Sequence, residues 1–144
     1  MLSMKAKYAI RALMVLARND GQILSIKAIA TDADIPQKFL EAILLELKHN
    51  GIVDSKRGIF GGYFLAKPPK EITVGTLVRI LDGPLAPIRC ASLTAYQKCD
   101  DCFDETTCEI RKVMLSVRNA ISDVLDNKTI ADMASGNYIE TYKI

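Results

Sequence analysis

All four cysteines of this 144-residue chain fall between positions 90 and 108: Cys90, Cys99, Cys102 and Cys108. The spacing Cys-x8-Cys-x2-Cys-x5-Cys is tight enough for thiolates to surround one soft or borderline metal centre. Ligation would hold the sulfurs deprotonated and order a loop that has little apolar content of its own. Asp100, Asp101, Asp104, Glu105 and Glu109 interleave with the thiols. They disfavour bare thiolates, so a cation in the site relieves a local repulsion. Three outcomes stay open on these residues alone: an iron–sulfur cluster, a zinc ion, or thiols that bind no metal and act as a redox switch or lie inert. His49, the single histidine, has no cysteine near it in sequence. Its place near the end of a predicted helix suits a partly cationic imidazole against the helix dipole.

A second set of side chains could recognise rather than react. Gln37 and Lys38, with Glu41 one turn later, open a predicted helix. Gln can read adenine, Lys can read guanine or hold a phosphate, and Glu can accept from cytosine, provided the helix lies in a major groove. Arg57, beside the glycine-rich run Gly58-Ile59-Phe60-Gly61-Gly62, suits the negative potential of a minor groove. Lys5, Lys7, Lys27 and Lys56 are candidate phosphate contacts.

The elements that must position these groups follow from periodicity. Ile10, Leu13, Met14 and Ala17 recur at helical spacing over residues 7–18, stopped by Asn19-Asp20-Gly21. Ser25 can cap a short helix over 26–33. Asp34-Ile35-Pro36 makes a turn, with the proline at a first helical position. A third helix runs over about 36–50, with Phe39, Leu40, Ile43, Leu44 and Leu47 as the expected buried stripe and Asn50-Gly51 as its end. Residues 52–57 and 63–66 read as the strands of a hairpin whose tip is the glycine run. A fourth helix over about 74–81 is capped by Thr73 and stopped by Asp82-Gly83-Pro84. Two short helices, a tight turn and a glycine-tipped hairpin make a winged helix-turn-helix.

Beyond the cysteine loop, a long helix runs over about 107–126. Ile110, Met114, Val117, Ile121 and Val124 are spaced 4-3-4-3 along it, a heptad seam widened by Val113, Ala120 and Leu125. Such a seam must be covered, either by the head of the same chain or by a second copy, and a homodimer is the expectation.

Composition agrees with a chain that binds nucleic acid. Apolar residues make up 49% and charged residues 25%, which supports a real core. The net charge of +2 divides unevenly: residues 1–84 carry a net +4 and residues 85–144 a net −2. A basic head on an acidic body suits a polyanionic partner. No apolar run approaches the ~20 residues of a membrane span, so no membrane partner is expected. The opening Met1-Leu2-Ser3-Met4-Lys5 has no signal-peptide character, which makes a cytoplasmic location the expectation. Clustered thiols there argue for metal or redox chemistry over structural disulfides. No nucleophile–base pair, P-loop or dinucleotide fingerprint is present, so an enzyme is not expected.

Several runs of residues also resemble a known group. Lys7-Tyr8-Ala9-Ile10-Arg11-Ala12-Leu13, Phe39-Leu40-Glu41, Gly61-Gly62-Tyr63, and Glu71-Ile72-Thr73-Val74 with Asp82-Gly83-Pro84-Leu85-Ala86-Pro87 are similar to the Rrf family of transcription regulators. The resemblance runs in order over roughly residues 1–133. It implies dimeric, cytoplasmic regulators with the recognition helix in the major groove and the wing in the minor groove. By position it assigns Gln37, Lys38, Glu41, Ser55 and Arg57 to DNA reading. Family members with an iron–sulfur cluster hold it in this same loop, where Cys90, Cys102 and Cys108 match their three cysteines and Cys99 is additional. The histidine expected three positions after the last cysteine is Arg111 here, and an N-terminal aspartate that can supply a ligand from the partner subunit is Lys7. A bound cluster would therefore use all four cysteines or one unusual ligand.

The expectation is a mainly α chain with a small β-hairpin wing: a winged helix-turn-helix over 1–84, a cysteine loop over 85–106, and a dimerisation helix with tail over 107–144. The expected function is a dimeric, sequence-specific regulator acting on a double-stranded operator, as a repressor. Its DNA-binding set is Lys5, Lys7, Lys27, Gln37, Lys38, Glu41, Ser55, Lys56, Arg57, Gly61 and Gly62. The alternative is an iron–sulfur or zinc protein of redox or interaction function that does not bind DNA.

Overall fold

A computed structural model describes residues 2–136. The last eight residues of the expected tail lie outside this range. Helix α1 (Met4–Arg18) is the centre of the head and packs against the next three helices and the last one. Ser3 caps it, accepting from the Ala6 N–H at 3.0 Å. The Ser3 N–H and hydroxyl also donate to the Asp82 carboxylate, which ties the start of α1 to the end of α4 (Val74–Leu81). Ser25 caps α2 (Ile26–Ala33) through the Ala28 N–H. Asp34 then takes a left-handed conformation, φ 55°, which turns the chain into α3 (Gln37–His49). Pro36 is the residue before this helix rather than its first member.

Strands β1 (Val53–Lys56) and β2 (Gly62–Leu65) pair antiparallel, with Val53 opposite Leu65 and Lys56 opposite Gly62. The Leu24 and Tyr63 backbones exchange hydrogen bonds of 3.0 and 2.8 Å, which pins the wing to the segment entering α2. A Cβ on Gly62 would collide with the Leu24 carbonyl, so this close approach admits only glycine.

The core is continuous. Leu13, Leu16, Ile29, Leu40, Leu44, Leu47, Ile52, Ile72 and Leu77 are all buried below 2–3% exposure. Phe39 corrects the expected stripe of α3: it is 59% exposed, because it follows Lys38 onto the outward side while Leu40, Ile43, Leu44 and Leu47 turn inward. The spacing of a helix face admits Phe39 only at the stripe's edge, and Leu40 takes the core position.

The long helix α5 (Glu109–Leu125) begins two residues later than expected, with Cys108 in the capping position. None of its residues is buried, and Ile110, Val113 and Val117 are exposed. Its C-terminal end is fastened to the head by Arg79, which contacts the Asp126 carboxylate at 2.6 and 2.8 Å and the Ser122 hydroxyl at 3.1 Å. The chain then returns: the Val74 N–H bonds the Lys128 carbonyl and the Ile130 N–H bonds the Ile72 carbonyl. A sixth helix, α6 (Ile130–Ser135), packs on α1 and places Ile130 in the core at 0% exposure. The segment expected to be tail after the long helix thus contributes to the head.

Candidate nucleic-acid interface and cysteine pocket

The first turn of α3 and the wing face each other across a cleft of about 500 Å3. Seven of the expected DNA-binding residues line it: Lys27 from α2, Gln37 from α3, and Ser55, Lys56, Arg57, Gly61 and Gly62 from the wing. Three of these are cations, and no carboxylate lines the cleft. Lys38 and Glu41 are exposed on the outward side of α3 beside it. Lys5 and Lys7 are exposed on α1. Lys5 pairs with Glu46 at 3.2 Å, nine residues beyond Gln37 and so ~14 Å along α3 from the cleft. Ser55 is not free either, since the Lys48 ammonium donates to its hydroxyl at 2.6 Å. Glycine is required at Gly61 for a steric reason: a Cβ there would collide with the Lys56 carbonyl inside the turn. Lys48 lies outside the set expected from sequence, and its link to Ser55 crosses from helix to strand.

The four cysteines come together from three different settings. Cys90 is buried in a single 3-10 turn (Arg89–Ala91), whereas Cys99 is exposed and Cys102 half-buried in the loop that follows. Cys108 caps α5, its sulfur accepting from the Arg111 N–H at 3.5 Å. All four are free thiols and line one cavity of about 360 Å3. The Cys99 thiol donates to the Cys90 sulfur, with the two sulfurs 3.9 Å apart. Among the described residues, no three His, Cys, Asp or Glu side chains converge on a point that would hold a single metal ion.

Arg111, which stands where the resembled family has a histidine, lines the same cavity and donates from Nε to the Cys90 carbonyl at 3.1 Å. Its backbone and side chain thereby hold the Cys108 and Cys90 segments together. The Cys99 thiol is pushed above its ordinary value, first by its hydrogen bond to Cys90 and then by loss of solvent. Loss of solvent also raises the Cys102 thiol, Glu105 adding to the effect and Lys98 opposing it. His49 is exposed at the last position of α3, remote in sequence from the thiols.

The head-to-body arrangement has recognisable relatives. Residues 2–136 match the family model described as Rrf2, iron-dependent transcriptional regulator. The rrf2-like HTH-type transcriptional regulator of Rhodobacter capsulatus is 47% identical over 142 residues, covering 95% of each chain. The solved structure of CymR, the global cysteine regulator of Bacillus subtilis, superposes with a TM-score of 0.77 at 31% identity, covering 94% of this chain and 97% of CymR. T. potens IscR superposes at 0.74 with 29% identity, covering all of this chain and 93% of its own. No helix among the described residues is long and apolar enough to cross a membrane. The relatives are regulators rather than enzymes, and the chain belongs to the Rrf2 family of transcriptional regulators.

Proposed function

We propose that the protein is a cytoplasmic, two-fold dimer that represses transcription by seating α3 in the major groove and the wing in the adjacent minor groove of duplex operator DNA. The observation that carries this reading is the cleft between α3 and the wing, which gathers Lys27, Lys56 and Arg57 with no opposing carboxylate. Cations converging on one concave strip attract a phosphate backbone and release its counterions. Gln37, Lys38 and Glu41 beside that strip are positioned for base edges, while Lys5 and Lys7 on α1 add outlying phosphate contacts. The dimer forms through Ile110, Met114, Val117, Ile121 and Val124 of α5. The exposure of Ile110, Val113 and Val117 in the single chain supports this assignment, while Met114, Ile121 and Val124 are half-buried.

The cysteine pocket is a sensor of iron–sulfur, redox or small-molecule status. Its donor set fits an iron–sulfur cluster: four soft sulfur ligands line one cavity. When bound, a cluster would supply one-electron and iron-dependent chemistry through Cys90, Cys99, Cys102 and Cys108. The chain's own part is mechanical. Cys90 follows the head and Cys108 opens α5, so the loop connects the DNA-binding surface to the dimer helix. A change of state at the loop alters DNA affinity to the extent that the two states bind differently, commonly ~1–3 kcal/mol.

The test is equilibrium binding of a duplex enriched by the protein from a random-sequence pool. Lys27→Glu with Arg57→Glu should abolish binding at moderate salt while the fold, followed by circular dichroism, is retained. Undiminished binding would remove the cleft from the interface. In parallel, anaerobically prepared protein should be coloured and contain iron and sulfide, and Cys102→Ala should bleach it. A colourless preparation lacking both would leave a regulator without a cluster.

A further inference from the structure

The wing tip carries two large apolar side chains that the core does not use. Ile59 is 97% exposed and Phe60 91% exposed, side by side. Single exposed apolar residues are ordinary on a protein surface. A contiguous pair at the tip of a basic hairpin, held in place by two separate restraints, is not.

The first restraint is the turn itself, closed by the Gly61 N–H to the Gly58 carbonyl at 3.0 Å. The second is the Leu24–Tyr63 backbone pairing, which fixes the base of the wing against the entry to α2. The tip is therefore presented at a set position relative to α3. Glycines at 58, 61 and 62 strip side chains from both flanks of the tip and narrow it to the Ile59–Phe60 pair. A minor groove is only about 6 Å wide.

We propose that Ile59 and Phe60 form an apolar wedge that enters the minor groove and parts a base step while Lys56 and Arg57 hold the flanking phosphates. This rests on the DNA-binding reading above. Charge chooses the occupant: the cleft continuous with the tip carries three cations and no carboxylate, which fits a polyanion and not an apolar protein surface. Apolar side chains inserted between base steps unstack them and bend the duplex toward the major groove. Pyrimidine–purine steps yield most easily to this. The wedge is thus a specificity element that makes no base hydrogen bond, selecting TA or CA/TG steps at the positions under each wing.

The experiment uses the full chain and duplexes enriched from a random-sequence pool, with 2-aminopurine placed in turn at each position outside the α3 contacts. Wild-type protein should raise the emission several-fold at one step per half-site, and end-to-end energy transfer should report a bend. Ile59→Ser with Phe60→Ser should return both signals to those of free duplex and lower affinity severalfold, with the slope of log K on log salt unchanged because no cation is removed. Phe60→Leu, which keeps an apolar wedge, should restore the bend. A fresh selection with the double-serine variant should lose the enrichment of flexible steps under the wings. If wild-type protein enriches no duplex, the DNA-binding reading itself fails. If it binds tightly with no unstacking and no bend, or if the double-serine variant bends DNA as wild type does, the wedge is overturned and the tip faces a protein.

Discussion

Gln37 and Glu41 stand four residues apart on α3, so both project from one side of the helix. Gln37→Ala and Glu41→Ala should each relax preference at one or two base pairs, with ~1–3 kcal/mol of discrimination lost per reader. Competition between the enriched duplex and single-base variants measures this, and equal losses on enriched and random duplex would remove both from base reading. Lys27→Ala should instead weaken every duplex alike and make the salt slope shallower by about one unit. Lys5→Ala should move the slope less, since its ammonium is engaged by Glu46. The cleft's cations were legible in the sequence because a helix start and a glycine-tipped hairpin fix their neighbourhood. The Lys5–Glu46 and Lys48–Ser55 contacts were not, since each joins elements whose relative placement no local pattern encodes. Phe39 shows the same limit within one helix, where the edge of an apolar stripe is decided by what packs against it.

Where α5 leaves the head, Arg79 of α4 grips Asp126, and a Cβ on Gly75 would collide with that carboxylate. Gly75→Ala should therefore cost about 1–3 kcal/mol by overpacking, read from urea unfolding. Hydrogen bonding to Arg79 holds the Asp126 carboxyl below its ordinary range, with loss of solvent opposing. The depressed value belongs to the folded state, so the pair contributes fully above the pH where an unfolded aspartate ionises, about 3.9. Its contribution is lost as pH falls through the folded value. Asp126 is 38% exposed, which limits the contribution to about 1 kcal/mol or less. Wild type should thus exceed Asp126→Asn in thermal stability at neutral pH and lose that margin in acid; a margin that persists in acid would mean the ion pair is not its source. Most elements at this scale were readable from period and caps, α2 and α4 to the residue. Helix α6 escaped because six residues carry too little periodicity. The signal that could have found it is its capping box, in which Thr129 accepts from the Asp132 N–H and Asp132 accepts from the Thr129 N–H, both at 3.1 Å.

For the molecule as a whole, α5 is a strut fastened at both ends, by Arg111 to the Cys90 carbonyl and by Asp126 to Arg79, with Ile110, Val113 and Val117 exposed between them and Met114, Ile121 and Val124 half-buried. Val117→Glu with Ile121→Lys should give folded monomers in sedimentation with sharply weakened duplex binding, and an undisturbed dimer would place the interface elsewhere. The gathering of the four thiols around one cavity was legible, since their clustering is a property of the sequence alone. Arg111's hold on both ends of that loop was not, because it depends on how α5 meets the turn at Arg89–Ala91. A two-fold protein that reads duplex DNA through α3 and the wing leaves a defined footprint. Hydroxyl-radical footprinting of the full chain on an enriched duplex reads it. The expected result is two protected patches related by two-fold symmetry, centred about 10 bp apart or a multiple of that, with minor-groove protection at their flanks that disappears in Arg57→Glu. A single asymmetric patch, or protection unchanged by Arg57→Glu, would contradict it.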